Sequence, residues 1–520
     1  MLDKRRAGVL MHISSLPSEY GIGVFDESCK KFADVLADMG FHYWQVLPFN
    51  PVDDANSPYC SASAFAGNLL FIDPMGLVRL GLCTEAEAAE NRYTGSPYTA
   101  DYEFAAKKRM ALLKKAFGRI DTALQKEIAG FEKENPWLTD FAFYMALKES
   151  NGGKPWWQWQ EAQADYHRFL KQQAASHEQP AAFWKFAQYL FFNQWKEIKA
   201  YINKKGIAVI GDMPIYVAMD SADVWAGTEN FLIDEKKRKP EKVAGVPPDY
   251  FSADGQLWGN PLYDWDKMEK DGYRWWLKRL TAAFCLYDVV RIDHFRAFAS
   301  FWAVPADSKT AKVGQWCEGP GMKLFQKVFE VFPNAPIIAE DLGVFGEDVT
   351  KLLKDTGFPG MKVVQFGFDP DADSLHLPHN AVINSVNYVG THDNNTLLGW
   401  LWEASERERR FALDYVGFTG SNWGDGRYHS QSCRRIIESV WRSSSNTAMI
   451  AFQDLCGFGS DARMNIPGVP EKNWRFRTTW DTIDQIDKAY FRKINALYRR
   501  MYPLNLTKEE PVPDKTESIT

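Results

Sequence analysis

The chain has 520 residues, of which 45% are hydrophobic and 25% are charged, as is typical of a globular protein with a large core. Its 61 basic and 67 acidic residues give a net charge of −6, and no basic block predicts a nucleic-acid-binding surface. We also expect no membrane span, because there is no run of 18 apolar residues, and a cytoplasmic location, because the seven cysteines include no CxxC pair and the N-terminus does not read as a signal peptide.

Eight short apolar segments alternate with helical or loop-rich segments along the chain. Nearly continuous apolar strands are typical of a parallel sheet that is covered on both faces. Residues 28–40 and 346–357 have the apolar periodicity of helices, and the second segment ends at a helix-stop glycine. Eight strands that alternate with helices predict a (β/α)8 barrel of the TIM type. The predicted strands are 8–13, 43–49, 207–212, 288–293, 336–341, 362–368, 386–393 and 448–454.

Two insertions interrupt this alternation. The first, about 50–206, is far longer than a crossover between parallel strands requires, and its apolar periodicity predicts helices. The second, about 214–275, is rich in Gly, Pro and Trp and is predicted to be loop. Both follow the C-terminal ends of strands, which form the active face of such barrels. We therefore expect a single catalytic barrel with two inserted subdomains and a loose polar tail at 505–520.

We take four carboxylates at or next to the C-terminal ends of predicted strands as candidates, because strand ends converge at the mouth of a barrel. The four residues are Asp212, Asp293, Glu340 and Asp393. Alternate side chains of a strand share a face, so Arg291 and Asp293 are expected to face the barrel axis together. A single carboxylate at such a position can instead cap the next helix, but four of them favour a catalytic site.

Paired carboxylates are suited to glycoside cleavage, in which one ionised group attacks the anomeric carbon and a protonated group assists the leaving oxygen. Arg291 favours the charged form of Asp293, which we therefore predict to be the nucleophile. Glu340 follows the apolar sequence PIIA and lies near other acids, so we predict it to be the acid/base. Asp393 would hold substrate hydroxyls and stabilise positive charge on the sugar ring. These roles predict a retaining reaction but do not distinguish water from a sugar as acceptor.

Other function classes stay open at this point. His294 and His392 adjoin the acids, and each could either pack in the core or donate hydrogen bonds to sugar hydroxyls. The sequence contains no HExxH, P-loop or Rossmann motif, and HLPH at 376–379 has no evident third ligand; we therefore expect no metal and no cofactor. The alternatives are a hydrolase with the same acids, a metal-dependent barrel hydrolase and a non-catalytic carbohydrate-binding scaffold.

Three acid-bearing motifs resemble those of the α-amylase clan: RIDHFR at 291–296, IAEDLG at 338–343 and GTHDNNT at 390–396. With HISSLPSEYGIG at 12–23 and GVPPDYFSADGQLWGNPLYDW at 245–265, they are similar to glycoside hydrolase family 77, the 4-α-glucanotransferases. The resemblance extends over nearly the whole chain. It implies a (β/α)8 barrel that transfers segments between 1,4-α-glucans such as maltooligosaccharides and amylose, with glucose or maltose as acceptor.

The resemblance also implies roles for single residues. It assigns Asp293 as nucleophile, Glu340 as acid/base and Asp393 as transition-state stabiliser. Tyr250, Phe251 and Trp258 lie in an aromatic segment that we expect to stack on an acceptor sugar and to exclude water. The remaining expected substrate-binding residues are Ser57, Tyr59, Asp212, Arg291, His294, His392 and Asn465.

Overall fold

Eight parallel strands form the central sheet, which confirms the predicted (β/α)8 barrel. The structure is a computed structural model that describes residues 2–248, 253–343, 346–469 and 471–501. Along the sheet the strands follow the order β5-β4-β3-β2-β1-β8-β7-β6, and each hydrogen-bonded pair is parallel. Their bounds are β1 Arg6–Leu10, β2 Tyr43–Gln45, β3 Ala208–Pro214, β4 Val289–Asp293, β5 Ile337–Ala339, β6 Gly360–Val363, β7 Ser385–Tyr388 and β8 Thr447–Ala451.

All eight predicted strands overlap observed strands, but several were predicted to extend too far. The apolar residues after β6 form the 3₁₀ turn Val364–Phe366, and those after β8 form the helix Phe452–Cys456. Apolar composition alone does not separate a buried strand from a buried turn or short helix, which is the reason for this difference.

Strands β5 and β6 lie at the two ends of the sheet, and contacts between them close the barrel. The Ala339 N–H donates to the Pro359 carbonyl at 3.0 Å. The Asp341 carboxylate accepts from the Met361 N–H at 2.5 Å. A Cβ on Gly360 would lie 2.5 Å from this carboxylate. Glycine is therefore needed at position 360, because the Asp341 side chain there takes the place of a backbone acceptor.

Helices surround the barrel. The predicted helix at 28–40 is observed as Glu27–Asp38, capped by the Asp26 side chain. The one at 346–357 is observed as Glu347–Thr356 and ends at Gly357, whose φ is 70°. The other helices outside the first insertion are Ala222–Ala226, Trp265–Lys270, Arg274–Leu286, Met322–Val331, Leu397–Glu403, Glu406–Tyr415, Gln431–Arg442, Phe452–Cys456, Trp480–Asp484 and Lys488–Leu497.

Alternation along the strands separates the barrel interior from the helix-packed face. On β4, Val290 and Ile292 join the large core cluster that includes the surrounding helices, whereas Val289 belongs to a separate cluster inside the barrel. Arg291 and Asp293 share the face of Val289. The inner cluster consists of Tyr43, Ala208, Ile210, Val289, Ile338, Met361, Val363, Val386, Tyr388 and Met449.

The segment between β2 and β3 is largely helical. Its last helix, Ala174–Lys204, runs for 31 residues with Pro180 inside and packs along Trp137–Ser150. The other helices of this segment are Pro74–Arg79, Glu85–Ala89, Tyr102–Phe117, Thr122–Glu134, Glu161–Ala164 and Tyr166–Gln172.

The segment 214–275 has more regular structure than the loop prediction allowed. Besides the short hairpin of Ile233–Asp234 and Lys239–Pro240, it contributes two strands to an antiparallel sheet that we call the side sheet. The glycine and proline content of the segment concealed these strands, and the other two strands of the side sheet come from the chain after β4. In order across the side sheet, the strands are Gln315–Glu318, Ser300–Pro305, Lys242–Val246 and Gln256–Pro261.

Other expectations concern the chain as a whole. No helix in the described ranges is long and apolar enough to cross a membrane. All seven cysteines fall within these ranges and are free thiols. The predicted tail at 505–520 lies outside the described residues.

Candidate active site

A buried arginine joins two of the four carboxylates at the barrel mouth. Asp212 on β3 pairs in register with Arg291 on β4. The Arg291 Nη1 donates to both Asp212 carboxylate oxygens, at 2.8 and 2.7 Å, and lies 3.0 Å from Asp293 Oδ1. The Tyr59 hydroxyl donates to Asp212 Oδ2 at 2.9 Å. Because Arg291 is only 3% exposed, these carboxylates neutralise a cation that would be costly to bury alone.

The local charge balance sets the ionisation of Asp293. Burial raises the pKa of Asp293, and Arg291 opposes this rise. Asp212 and Asp393 raise the pKa further, because like charges disfavour ionisation. The contact between Arg291 and Asp293 expected from alternation is present, but burial outweighs it, and the pKa of Asp293 stays above that of an ordinary aspartate.

Glu340 follows β5 and is held by two backbone donors. The Leu342 N–H donates to one carboxylate oxygen and the His294 N–H to the other, each at 2.7 Å. His294 has a φ of 53°, a left-handed conformation that is uncommon outside glycine and that turns its N–H toward Glu340. Burial raises the pKa of Glu340; Arg291 lowers it and Asp293 raises it. The result is an elevated pKa on the acid that is not in direct contact with the arginine.

Asp393 follows β7 and has the opposite ionisation preference. Its Oδ1 accepts from Asn465 Nδ2 at 2.6 Å, and its Oδ2 lies 3.3 Å from His392 Nε2. Burial favours the neutral form, but His392 and Asn465 together lower the pKa of Asp393 to about 2. Burial also favours the neutral form of His392 and so lowers the pKa of this imidazole. The carboxylate of Asp393 has the larger, opposite effect, so the pKa of His392 is raised overall. Asp393 is therefore held ionised beside two acids that favour protonation.

Aromatic rings border these carboxylates on two sides. Tyr59 stacks on His392 with ring centroids 5.2 Å apart and an interplanar angle of 19°. On the other side, Trp258 meets His294 edge-on at 4.7 Å, with 36% of its surface exposed. Burial lowers the pKa of His294 to about 3, which keeps this imidazole neutral. Both histidines thus contact an aromatic ring in the site.

The other expected binding residues are distributed as follows. Ser57 Oγ accepts from the Tyr59 N–H at 3.3 Å and the Ser57 N–H donates to Asp53 at 2.8 Å, so Ser57 belongs to the turn that presents Tyr59. Tyr250 and Phe251 lie outside the described residues.

Sequence reasoning missed two residues of this region. Arg463 Nη2 donates to the Asp393 carbonyl at 2.7 Å and its Nε to the Asn465 carbonyl at 2.7 Å. Trp474 tilts against both Tyr59 and His392, at 5.6 and 5.8 Å between ring centroids. Arg463 was detectable because it precedes the MNIPG motif directly. Trp474 is one of 20 tryptophans and its surroundings carry no sequence signal.

The arrangement places three carboxylates with different surroundings at one barrel mouth. Glu340 has the elevated pKa of a proton donor, Asp393 is held ionised, and Asp293 lies against a permanent cation. Separated proton affinities of this kind allow acid and base chemistry in one site at one pH.

Comparison with known proteins identifies the family of the chain. The family model described as 4-alpha-glucanotransferase matches residues 11–482. The 4-alpha-glucanotransferase of Streptococcus pneumoniae is 42% identical over 505 residues, covering 96% of this chain and 98% of that protein. The chloroplastic/amyloplastic 4-alpha-glucanotransferase of Arabidopsis thaliana is 40% identical over 518 residues, covering 96% of this chain and 86% of that protein.

A solved structure extends the agreement to three dimensions. The amylomaltase from Streptococcus agalactiae in complex with acarbose matches with a TM-score of 0.91 and 36% identity, covering 96% of this chain and all of that chain (100%). At 96% coverage the match extends over most of the chain and is not confined to the barrel strands. On the sequence motifs, the fold and these similarities together, the chain belongs to the 4-alpha-glucanotransferase family.

Proposed function

We propose that this enzyme transfers a segment of a 1,4-α-D-glucan to the 4-hydroxyl of glucose or of another 1,4-α-glucan, by a retaining double displacement. The observation that carries this proposal is the contrast between Asp293 and Glu340. The pKa of both acids is raised, but Asp293 lies 3.0 Å from the Arg291 cation, which favours its ionised form, whereas Glu340 is held by backbone donors. Asp293 ends β4 and Glu340 follows the neighbouring β5, and we assign them as nucleophile and proton donor.

In the first step, an Asp293 carboxylate oxygen attacks the anomeric carbon and the bond to the glycosidic oxygen breaks. Glu340 gives its proton to that oxygen, so the leaving glucan departs with a neutral 4-hydroxyl. The sugar ring gains positive charge as the bond breaks. Asp393, whose pKa is lowered to about 2, is ionised at any ordinary pH and stabilises this charge.

In the second step, the 4-hydroxyl of an acceptor glucan attacks the same carbon and releases Asp293. Glu340, now a carboxylate, takes the hydroxyl proton, which restores the starting protonation state. Two inversions at the anomeric carbon give net retention, and one 1,4-linkage is made for each one broken. The products therefore differ from the substrates in length and not in linkage.

Transfer requires that a sugar hydroxyl compete successfully with water for the covalent intermediate. The half-exposed Trp258 ring beside His294 supports this preference, because a flat apolar surface at this position can stack on an acceptor sugar. Tyr59, His392 and Asn465 are proposed to bind the donor sugar around Asp393. Maltooligosaccharides and amylose-like glucans are the proposed substrates, and the cytoplasm is the proposed location, supported by the seven free thiols.

Incubation with maltotriose alone tests the proposal. A transferase converts maltotriose into glucose and longer maltodextrins, since each segment removed is added to another molecule. A hydrolase with the same acids gives shorter products alone, and a binding scaffold releases no glucose. Chromatography of the products over time would contradict the proposal if glucans longer than maltotriose failed to accumulate before glucose and maltose dominate.

A further inference from the structure

A second exposed tryptophan lies on the side sheet, outside the site described above. Trp316 is on the edge strand Gln315–Glu318, and 45% of its surface is exposed. Its ring is nevertheless held from two directions. The Arg296 guanidinium lies over the indole at 4.2 Å from the ring centroid, and Trp302 on the neighbouring strand meets it edge-on at 5.2 Å and 61°.

The support beneath Trp316 is itself fixed. The Trp302 Nε1 donates to the Ala311 carbonyl at 2.9 Å, and Trp302 packs on the buried cluster of Val243, Val304 and Ala311. A Cβ on Gly314 would lie 2.6 Å from the Trp302 ring, so the backbone at Gly314 packs directly against that indole. Trp316 thus presents a flat surface that is already held in place. A ligand that binds there does not have to order a flexible side chain, so binding carries little entropic cost from this residue.

The position of Trp316 relates it to the acid/base side of the site. Arg296 is two residues from His294, whose N–H donates to Glu340. The charge of Glu340 also acts on Arg296, where it opposes the lowering of the Arg296 pKa by burial. The opposite edge strand of the same side sheet, Gln256–Pro261, carries Trp258. In the proposed first step the leaving glucan departs on the side of Glu340, so the side sheet flanks the path of that glucan.

We propose that Trp316, supported by Arg296 and Trp302, is a binding platform for a glucose unit of a long 1,4-α-glucan, beyond the sugar that contacts Glu340. The apolar C–H face of a pyranose ring fits the exposed indole, as in other aromatic-lined sugar sites. This inference rests on the proposed function, because it assigns the chain direction from the role of Glu340. A short substrate such as maltotriose does not extend to Trp316, whereas the long leaving segment of amylose does.

The alternative is that Trp316 only covers the side sheet. A covering role predicts that any apolar side chain serves, and that a variant affects long and short substrates equally. A platform predicts dependence on a flat ring and on substrate length. The two roles are therefore separated by the ratio of the KM for amylose, with saturating glucose as acceptor, to the KM for maltotriose.

Trp316→Ala and Trp316→Leu are expected to raise this ratio about three- to tenfold, the range of one aromatic stacking contact. Trp316→Phe keeps a flat ring, so its ratio is expected to stay close to that of the wild type. Trp316→Leu keeps apolar cover without a flat ring, so it remains informative if Trp316→Ala unfolds. Trp480→Ala is the matched control, because Lys31 lies 3.8 Å from the centroid of that half-buried ring. Within the described residues no hydrogen bond or ring contact joins Trp480 to the carboxylates or aromatic rings of the site, so the ratio of this variant should equal that of the wild type.

An unchanged ratio in a folded Trp316→Leu variant, with active wild-type enzyme in the same assay, would overturn the inference alone. If the wild-type enzyme produced no glucans longer than maltotriose, the proposed function would be overturned, and this inference with it. Thermal melting of each variant verifies that the comparison is made between folded proteins.

Discussion

The interior of the barrel has two regions with opposite chemistry on the same strands. On β4, Val289 belongs to the apolar inner cluster, while Arg291 and Asp293, on the same face, form the charged mouth. On β5, Ile338 belongs to the inner cluster, and Glu340, two residues further, is the raised-pKa acid. Distance along the strand, and not the face, therefore decides whether a residue stabilises the barrel or acts in the site.

The two regions solve the same burial problem differently. In the inner cluster, removal of apolar surface from water stabilises the fold directly. At the mouth, burial destabilises each ionised group unless a partner compensates, and the partners are shared: Arg291 serves both Asp212 and Asp293. The compensation is incomplete, since the pKa of Asp293 and the pKa of Glu340 both remain raised. Under the proposed function, this residual imbalance is the property that lets the mouth exchange protons with a substrate, whereas the inner cluster has no titratable group of this kind.

The largest effect is expected from removing the reactive carboxylates. Glu340→Gln should lower kcat/KM by about 10²–10⁴-fold, because it removes the proposed general acid/base. Asp293→Asn should lower it by about 10³-fold or more, because no covalent intermediate can form. Both substitutions keep the shape of the side chain, so far-ultraviolet circular dichroism should stay close to that of the wild type. Glu340→Gln leaves one of the two backbone donors to Glu340 without an acceptor, so its melting transition should fall by a few degrees at most and still show a folded protein.

Ile338→Val is the matched control for Glu340→Gln, two residues away on the same face of β5. It removes one methylene from the inner cluster and should cost about 0.5–1.5 kcal/mol of stability, with kcat/KM for maltotriose unchanged. Wild-type turnover in either carboxylate variant would show that the roles are misassigned. A large loss of turnover in folded Ile338→Val would show that the two regions are not separable.

The contrast between the two regions also explains what could be read from the sequence. Asp293 and Glu340 were detectable because strand alternation and strand ends are local patterns, and the motifs around them resemble those of a known family. The side sheet was not, because Lys242–Val246 pairs with Ser300–Pro305, which lies beyond an entire barrel strand. Trp474 was missed for the same reason, since its contacts with Tyr59 join segments more than 400 residues apart. The direction of the pKa shift of Asp293 could not be predicted from the sequence either, because the sequence pattern does not show how deeply this carboxylate is buried.

A smaller but still large effect is expected from removing the shared cation. Arg291→Met leaves the buried Asp212 and the half-buried Asp293 without their partner, and the loss of the buried pair with Asp212 should cost about 3–5 kcal/mol of stability. It should also raise the pKa of Asp293 further, since Arg291 is the main group that opposes the effect of burial. Chemical denaturation measures the stability change, and the loss of kcat/KM should be greatest at acidic pH, where Asp293 then stays protonated.

Lys114→Met is the control for this ion pair. Lys114 contacts Glu149 at 2.7 Å with both side chains about half exposed, so its loss should change stability by only about 0–1 kcal/mol. If Arg291→Met were no more destabilising than Lys114→Met, the cation would not be compensating buried charge at the mouth.

The smallest expected effect is the pH dependence of the wild-type enzyme, which measures the imbalance at the mouth directly. Asp293 must be ionised, so kcat/KM should rise as pH rises through the pKa of that group. Glu340 must be protonated in the first step, so kcat/KM should fall about tenfold per pH unit above its pKa. Burial raises the pKa of both acids above ordinary carboxyl values of about 4, so both limbs of the profile should be displaced upward, and the two limbs belong to the pair as a whole.

His392 is the other group at the mouth whose pKa is raised, and it could in principle contribute the alkaline limb. The residual activity of His392→Gln separates the two assignments. If Glu340 supplies the limb, the fall with rising pH persists in this variant, because Glu340 keeps its two backbone donors from His294 and Leu342. If the fall disappears, the titrating group is His392, and the protonated acid of the proposed first step must be sought elsewhere than at Glu340.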